Sequence, residues 1–179
     1  MTTSSIILDS LDRVHALIPV LLDGLDRDDV LWRPDPGSNS IGWLIWHLTR
    51  VEDDHLADIG GKEQVWSTGW RERFALPYPD NAHGYGMTPA DVAAFDVSSV
   101  DLLKEYAGAV AAQTTEVVRA LSDADYERVI DTRWDPPVTV AVRLVSVMNE
   151  VAQHVGQAGY VRGLRERAIN RESGWVGHA

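Results

Sequence analysis

"MNEVAQHVGQAGYVRGL", residues 148–164, decides how this chain folds. Its apolar residues recur with a helical period, and Val140, Leu144 and Val147 extend the pattern upstream. At about 100° per residue, with Val147 at zero, Val140, Leu144, Val151 and Ala158 fall within about 60°. That stripe must face a core. Two polar residues share it. His154 lies about 20° from its centre and Glu150 about 60° away on the same side. Their i, i+4 spacing stacks them on one face.

Other segments repeat the helical period. Residues 5–25 carry Ile6, Ile7, Leu11, Val14, Leu17, Ile18, Leu21 and Leu22 at helical spacing. "DVLWRPDPGSN", residues 29–39, is a turn-rich connection. Ser40 is placed to cap "IGWLIWHLTRVEDDHLADI", which stops at Gly60-Gly61. Residues 62–87 show no steady period and hold Trp66, Trp70, Phe74, Tyr78 and Tyr85 among prolines and glycines. A long aromatic loop of this kind is functional or well packed. A short helix is expected after Thr88, with Pro89 in its first turn. A long one follows from about Ser98 to Leu121, and "WDPPVT" at 134–139 breaks the chain again. The last helix then runs from Val140 to Arg165 behind the cap Thr139.

Four long helices and little alternation of period two predict an all-α fold, a four-helix bundle with a long aromatic-rich loop between its second and third long helices. At 179 residues the chain fits a single domain, with its core at 5–165 and a peripheral tail at 166–179. The net charge of −11 argues against nucleic acid and against an anionic membrane surface. With no cysteine, disulfides, thiolate metal ligands and a cysteine nucleophile are excluded. The first apolar stretch has no basic segment before it and is interrupted by Asp9 and Asp12, so a cytoplasmic location is expected.

On the second long helix, with His47 at zero, Trp43, Leu44 and Val51 lie within about 60°. His47 therefore also points inward. Burying an unpaired carboxylate costs on the order of several kcal/mol, and a bound cation removes that cost. His47, Glu150 and His154 would form a two-histidine, one-carboxylate donor set suited to zinc, or to nickel or iron, with a position left open. Against this stands hydrogen bonding within an ordinary core, with Glu150 paired to Arg143 or Arg162. Trp43 shares the donor face and is placed to wall a pocket, whereas Trp46 reads as core. Gln157, one turn beyond His154, either supports a ligand or bridges to a neighbouring helix. Asp54 is the candidate carboxylate behind a histidine, although "EDDHLAD" reads as a solvated acidic face. His55 reads as surface, and Arg143 and Arg162 as partners of nearby acids.

"NSIGWLIWHLTRVEDDHL" and "VTVAVRLVSVMNEVAQHVGQAGYVRGL" together resemble the DinB-like superfamily of four-helix-bundle metalloproteins. The shared features are a histidine inside an apolar second helix and an H-x-G-Q ending in the last one, here His47 and His154 to Gln157. Many members carry H-x-x-x-H in the last helix, and Glu150 stands here at the first of those positions. That arrangement looks like the mycothiol-dependent maleylpyruvate isomerase branch. The resemblance implies metal ligands at His47, Glu150 and His154, water at the fourth position, and a low-molecular-weight thiol as cofactor. The tail after Arg165 is too short for the extra C-terminal domain of the isomerase type.

Two functions follow as expectations. One is a zinc-dependent, mycothiol-type S-transferase acting on a small electrophile. The other is a non-catalytic metal-binding stress-response protein in which the ion staples helices. An open fourth position favours the first, and a fourth ligand from Asp54 or His55 favours the second. A homodimer is expected in either case, with a small molecule as the other partner.

Overall fold

A computed structural model describes residues 2–170. Most of the expected tail, residues 171–179, lies outside the described residues. The chain folds into an all-helical bundle built on α1 (Thr3–Leu22), α3 (Ile41–Gly60), α6 (Val100–Ala120) and α7 (Val140–Ala168). Short helices α2 (Arg27–Leu31), α4 (Trp70–Phe74) and α5 (Pro89–Ala93) sit in the connections. A two-stranded antiparallel ribbon, β1 (Val129–Asp131) with β2 (Val138–Thr139), leads into α7. α3 packs against α6 and α7, and α1 closes the bundle against the same two helices.

Local chemistry sets the helix ends where the sequence places them. The Ser40 hydroxyl accepts the Trp43 amide at 3.2 Å, and Gly61 ends α3 in the left-handed region at φ 60°. Thr139 caps α7 by accepting the Val142 amide. α7 runs past the expected end at Arg165 to Ala168, because Glu166 is buried and pairs with Arg162 at 2.8 Å. Arg162 also donates to the Val20 and Leu21 carbonyls at the C-terminal end of α1, so α7 holds α1 through this arginine.

α3 departs from a one-faced helix. Every residue from Ile41 to Arg50 is buried. A helix enclosed on all sides is a core helix. Segment 62–97 covers its outer side, with Trp66, Tyr78 and Phe95 packed around Trp46 at ring-centroid distances of 5.5–6.3 Å. The expected loop thus contains a 3-10 turn at Val65–Ser67 and the helix α4. This cover on one side, with α1 and α6 on the other, corrects the solvated acidic face. Glu52 and Asp53 are both 1% exposed.

Both of these acids have partners distant in sequence. Glu52 accepts the Thr114 hydroxyl at 2.6 Å and faces His15 Nε2 at 2.9 Å, which ties α1, α3 and α6 together. Burial works against charge on His15. The hydrogen bond and charge of Glu52, with Asp12 behind them, outweigh it and raise the imidazole above its ordinary value. A folded-state value raised in this way gives stability that is full below the unfolded value and is lost as pH rises through the folded one. The denaturant midpoint is therefore expected to fall as pH rises from the ordinary imidazole value through the raised one, and the part due to His15 to vanish in His15→Gln. Equal pH dependence in the two proteins would remove His15 from that account.

Candidate metal centre

α3 and α7 lie side by side, and this brings the three predicted donors together across two helices. One donor atom from each of His47, Glu150 and His154 lies within 4.8 Å of the other two. Glu150 Oε1 is 3.2 Å from His47 Nε2 and 3.0 Å from His154 Nε2. Glu150 pairs with neither Arg143 nor Arg162 in the ion pairs of the described residues; it sits between the histidines. The two imidazoles meet edge to face at a centroid distance of 4.8 Å.

The outer nitrogen of each ring meets an oxygen. His47 Nδ1 lies 2.5 Å from the His83 carbonyl oxygen, which can only accept. His154 Nδ1 lies 2.8 Å from the Gln157 carboxamide oxygen, which can only accept as well. With hydrogen on each Nδ1, both rings turn Nε2 toward Glu150 Oε1. Burial pushes the His47 imidazole below its ordinary value and the nearby His154 adds to this, while the His83 carbonyl and Glu150 oppose them. Two imidazole nitrogens and a carboxylate oxygen thus converge on one point. A cation satisfies that arrangement, and the imidazole–carbonyl pairs are the outer contacts that metal-binding histidines use. The residues fit a divalent ion.

The surroundings match some expectations and revise others. Trp43 stacks on His47 at 4.8 Å and 20°, so it walls the centre, and Trp46 is fully buried core. Gln157 supports His154 and does not bridge to another helix. Asp54, expected behind a histidine ligand, stands behind none of the three. It accepts from Gln64 Nε2 at 2.7 Å, lies 3.6 Å from His55, and forms part of a pocket wall. The place behind His47 belongs instead to the backbone of His83, and His55 is half-buried in the same wall.

The His83–Gly84 segment was not marked by sequence reasoning. Its one signal is "HGYG" at residues 83–86, where Gly84 takes φ +100°. A Cβ there would come within 2.3 Å of His47 Nδ1 and 3.1 Å of Trp43. Only glycine lets this backbone approach the ligand so closely. Gly84→Ala must move the peptide off His47 and leave Nδ1 without its acceptor. Zinc affinity is expected to fall about 10–100-fold in a competition titration with a chromophoric chelator, with helical circular dichroism unchanged. Unchanged affinity would show that the His83 carbonyl does not hold the ligand.

A cavity of about 210 Å³ adjoins the donors, lined by His47, Glu150, His83, Tyr85, Val51 and Val147 among others. The donor set ends at three among the described residues, and neither Asp54 nor His55 joins it.

Fold and centre together define a class: a helical bundle with a histidine–carboxylate centre bridging two of its core helices. The chain belongs to the DinB superfamily, whose family model matches residues 10–158. It is also similar to a solved structure, the conserved protein of a locus from Enterococcus faecalis. The two share 31% identity with a TM-score of 0.87, over 96% of this chain and 99% of that one. No curated protein matches the chain. Among the described residues no helix is long and apolar enough to cross a membrane.

Proposed function

We propose that the protein is a zinc-dependent S-transferase that joins an external low-molecular-weight thiol, of the mycothiol type, to a small electrophile. The observation that carries the reading is the meeting of His47 Nε2, His154 Nε2 and Glu150 Oε1 beside a cavity. Zinc bound there supplies a positive charge that favours the thiolate over the thiol at neutral pH. The chain has no cysteine, so the nucleophilic sulfur comes from the cofactor. In the transfer, sulfur forms the new bond to carbon, the leaving group departs with the electron pair, and the thiol proton passes to solvent. His83 and Gln157 keep the two imidazoles in the donor-ready tautomer. Trp43 shields the centre from water on one side.

The structural-staple reading needs a fourth protein ligand, and the described residues offer three. The test is metal content of protein purified without an affinity tag, followed by a thiol-transfer assay with and without chelator. About one zinc per chain and activity lost to chelator and restored by zinc are expected. Protein without metal that does not respond to added zinc would overturn the metal reading. A metal-loaded protein inert with every thiol and electrophile would leave the non-catalytic one.

A further inference from the structure

The groove between α3 and α7 continues past the metal centre. The helices are antiparallel there, so His47 meets Glu150 at one level and His55 meets Arg143 further along. Seven residues of α7 separate Glu150 from Arg143, which is about 10.5 Å of helix axis. Val51, Val147 and Ser146 line the stretch between these levels. Asp54 and His55 also line a second cavity of about 700 Å³, whose walls include Arg143, Arg133 and Asp131.

The wall as a whole balances three carboxylates, Asp54, Asp58 and Asp131, against three cations, Lys62, Arg133 and Arg143, but immediately around Asp131 the charge does not cancel. Asp131 accepts Arg133 at 2.9 Å and Arg143 Nη2 at 3.2 Å, so one carboxylate serves two guanidinium groups. Arg143 Nη1 faces the His55 ring nitrogens at 3.3 Å and no carboxylate. Burial and then the Arg143 charge push His55 below its ordinary value, so His55 neither adds to nor neutralises that charge at neutral pH. The other charged groups of the wall are Lys62, which pairs with Glu116 at 2.5 Å, Asp54, which is held by Gln64, and Asp58. Arg143 is the half-buried cation of the wall on α7, with one edge of its guanidinium still free of a carboxylate.

We propose that this slot selects an elongated ligand, with a metal-binding head at His47, Glu150 and His154, an apolar middle over Val51 and Val147, and an anionic end at Arg143. This rests on the metal reading above. The substrate or thiol class it implies carries a carboxylate or similar anion about two helical turns from the donor atom.

The experiment uses the full chain loaded with cobalt(II) as a spectroscopic stand-in for zinc. Mercaptopropionate, mercaptohexanoate and mercaptooctanoate are titrated, each against the mercaptoalkanol of the same length. The sulfur-to-cobalt charge-transfer band reports occupancy. A preference of about tenfold or more for acid over alcohol is expected at the longer lengths and not for mercaptopropionate. In Arg143→Gln the preference is expected to vanish while the alcohols bind as before, and Arg143→Lys is expected to retain part of it. Should Arg143→Gln not fold, the length dependence in the native protein decides by itself. Equal binding of acids and alcohols at every length overturns the proposal, as does cobalt uptake with no thiol band. Failure to take up cobalt overturns the metal reading, and the proposal with it.

Discussion

Asp53→Ala is expected to lower the free energy of unfolding by about 3–5 kcal/mol, a large share of the stability of a domain of this size. The Asp53 carboxylate is 1% exposed and accepts the amides of Val65 and Trp66 and the Tyr106 hydroxyl, each at 2.8 Å. Arg50, which is fully buried, approaches it at 3.4 Å and stacks over Trp66 at 4.8 Å. Removing the carboxylate leaves a buried guanidinium without its counter-ion and two backbone donors without acceptors. Replacing Arg50 and Asp53 together by apolar residues is expected to recover only part of the loss, because the Val65 and Trp66 amides stay unpaired. The damage should also reach the candidate metal centre. Arg50 donates to the Ala82 carbonyl at 3.0 Å, next to the His83 carbonyl that holds His47. Urea denaturation checks the prediction, and a loss under about 1 kcal/mol would show that water reaches these groups.

His47→Ala is expected to weaken zinc binding by more than about 100-fold, beyond the cost of losing one outer hydrogen bond. His47 is the donor from α3, and it is 5% exposed. Without it, Glu150 and His154 remain as an i, i+4 pair on α7 alone. Such a pair holds an ion from one side and no longer links two helices. Zinc at a hundred times its dissociation constant should stabilise the native protein by about 2.7 kcal/mol, read as a rise in melting temperature. The same zinc should stabilise His47→Ala by no more than about 0.4 kcal/mol. An equal rise in both proteins would place the ion elsewhere.

The convergence of His47, Glu150 and His154 was legible because helical periodicity is local. His47, Glu150 and His154 each lie on the apolar stripe of their own helix, so a wheel drawn on one segment shows each of them facing inward. The resemblance to DinB-like proteins added the pairing of the two helices. The supports of the site were less legible. Gln157 could be named, but its partner could not, since a carboxamide one turn from a histidine has several neighbours within reach. The His83 carbonyl left no trace, because a backbone acceptor is the same in every residue type. Glu52 and Asp53 were misplaced for a related reason. Three consecutive acids look solvated until Thr114, His15 and Tyr106 arrive from other helices to meet them.

By itself the sequence determined the helical class, the approximate spans of the long helices, the caps Ser40 and Thr139, and the inward aim of His47, Glu150 and His154, all of which depend on residues within a few turns of one another. Tertiary structure alone decided that the aromatic segment encloses α3, that Asp53 anchors it, and that the His83 carbonyl closes on His47. It also decided that the slot beyond the centre ends at Arg143. These depend on contacts between residues far apart in the chain, whose directions are set only when the helices pack.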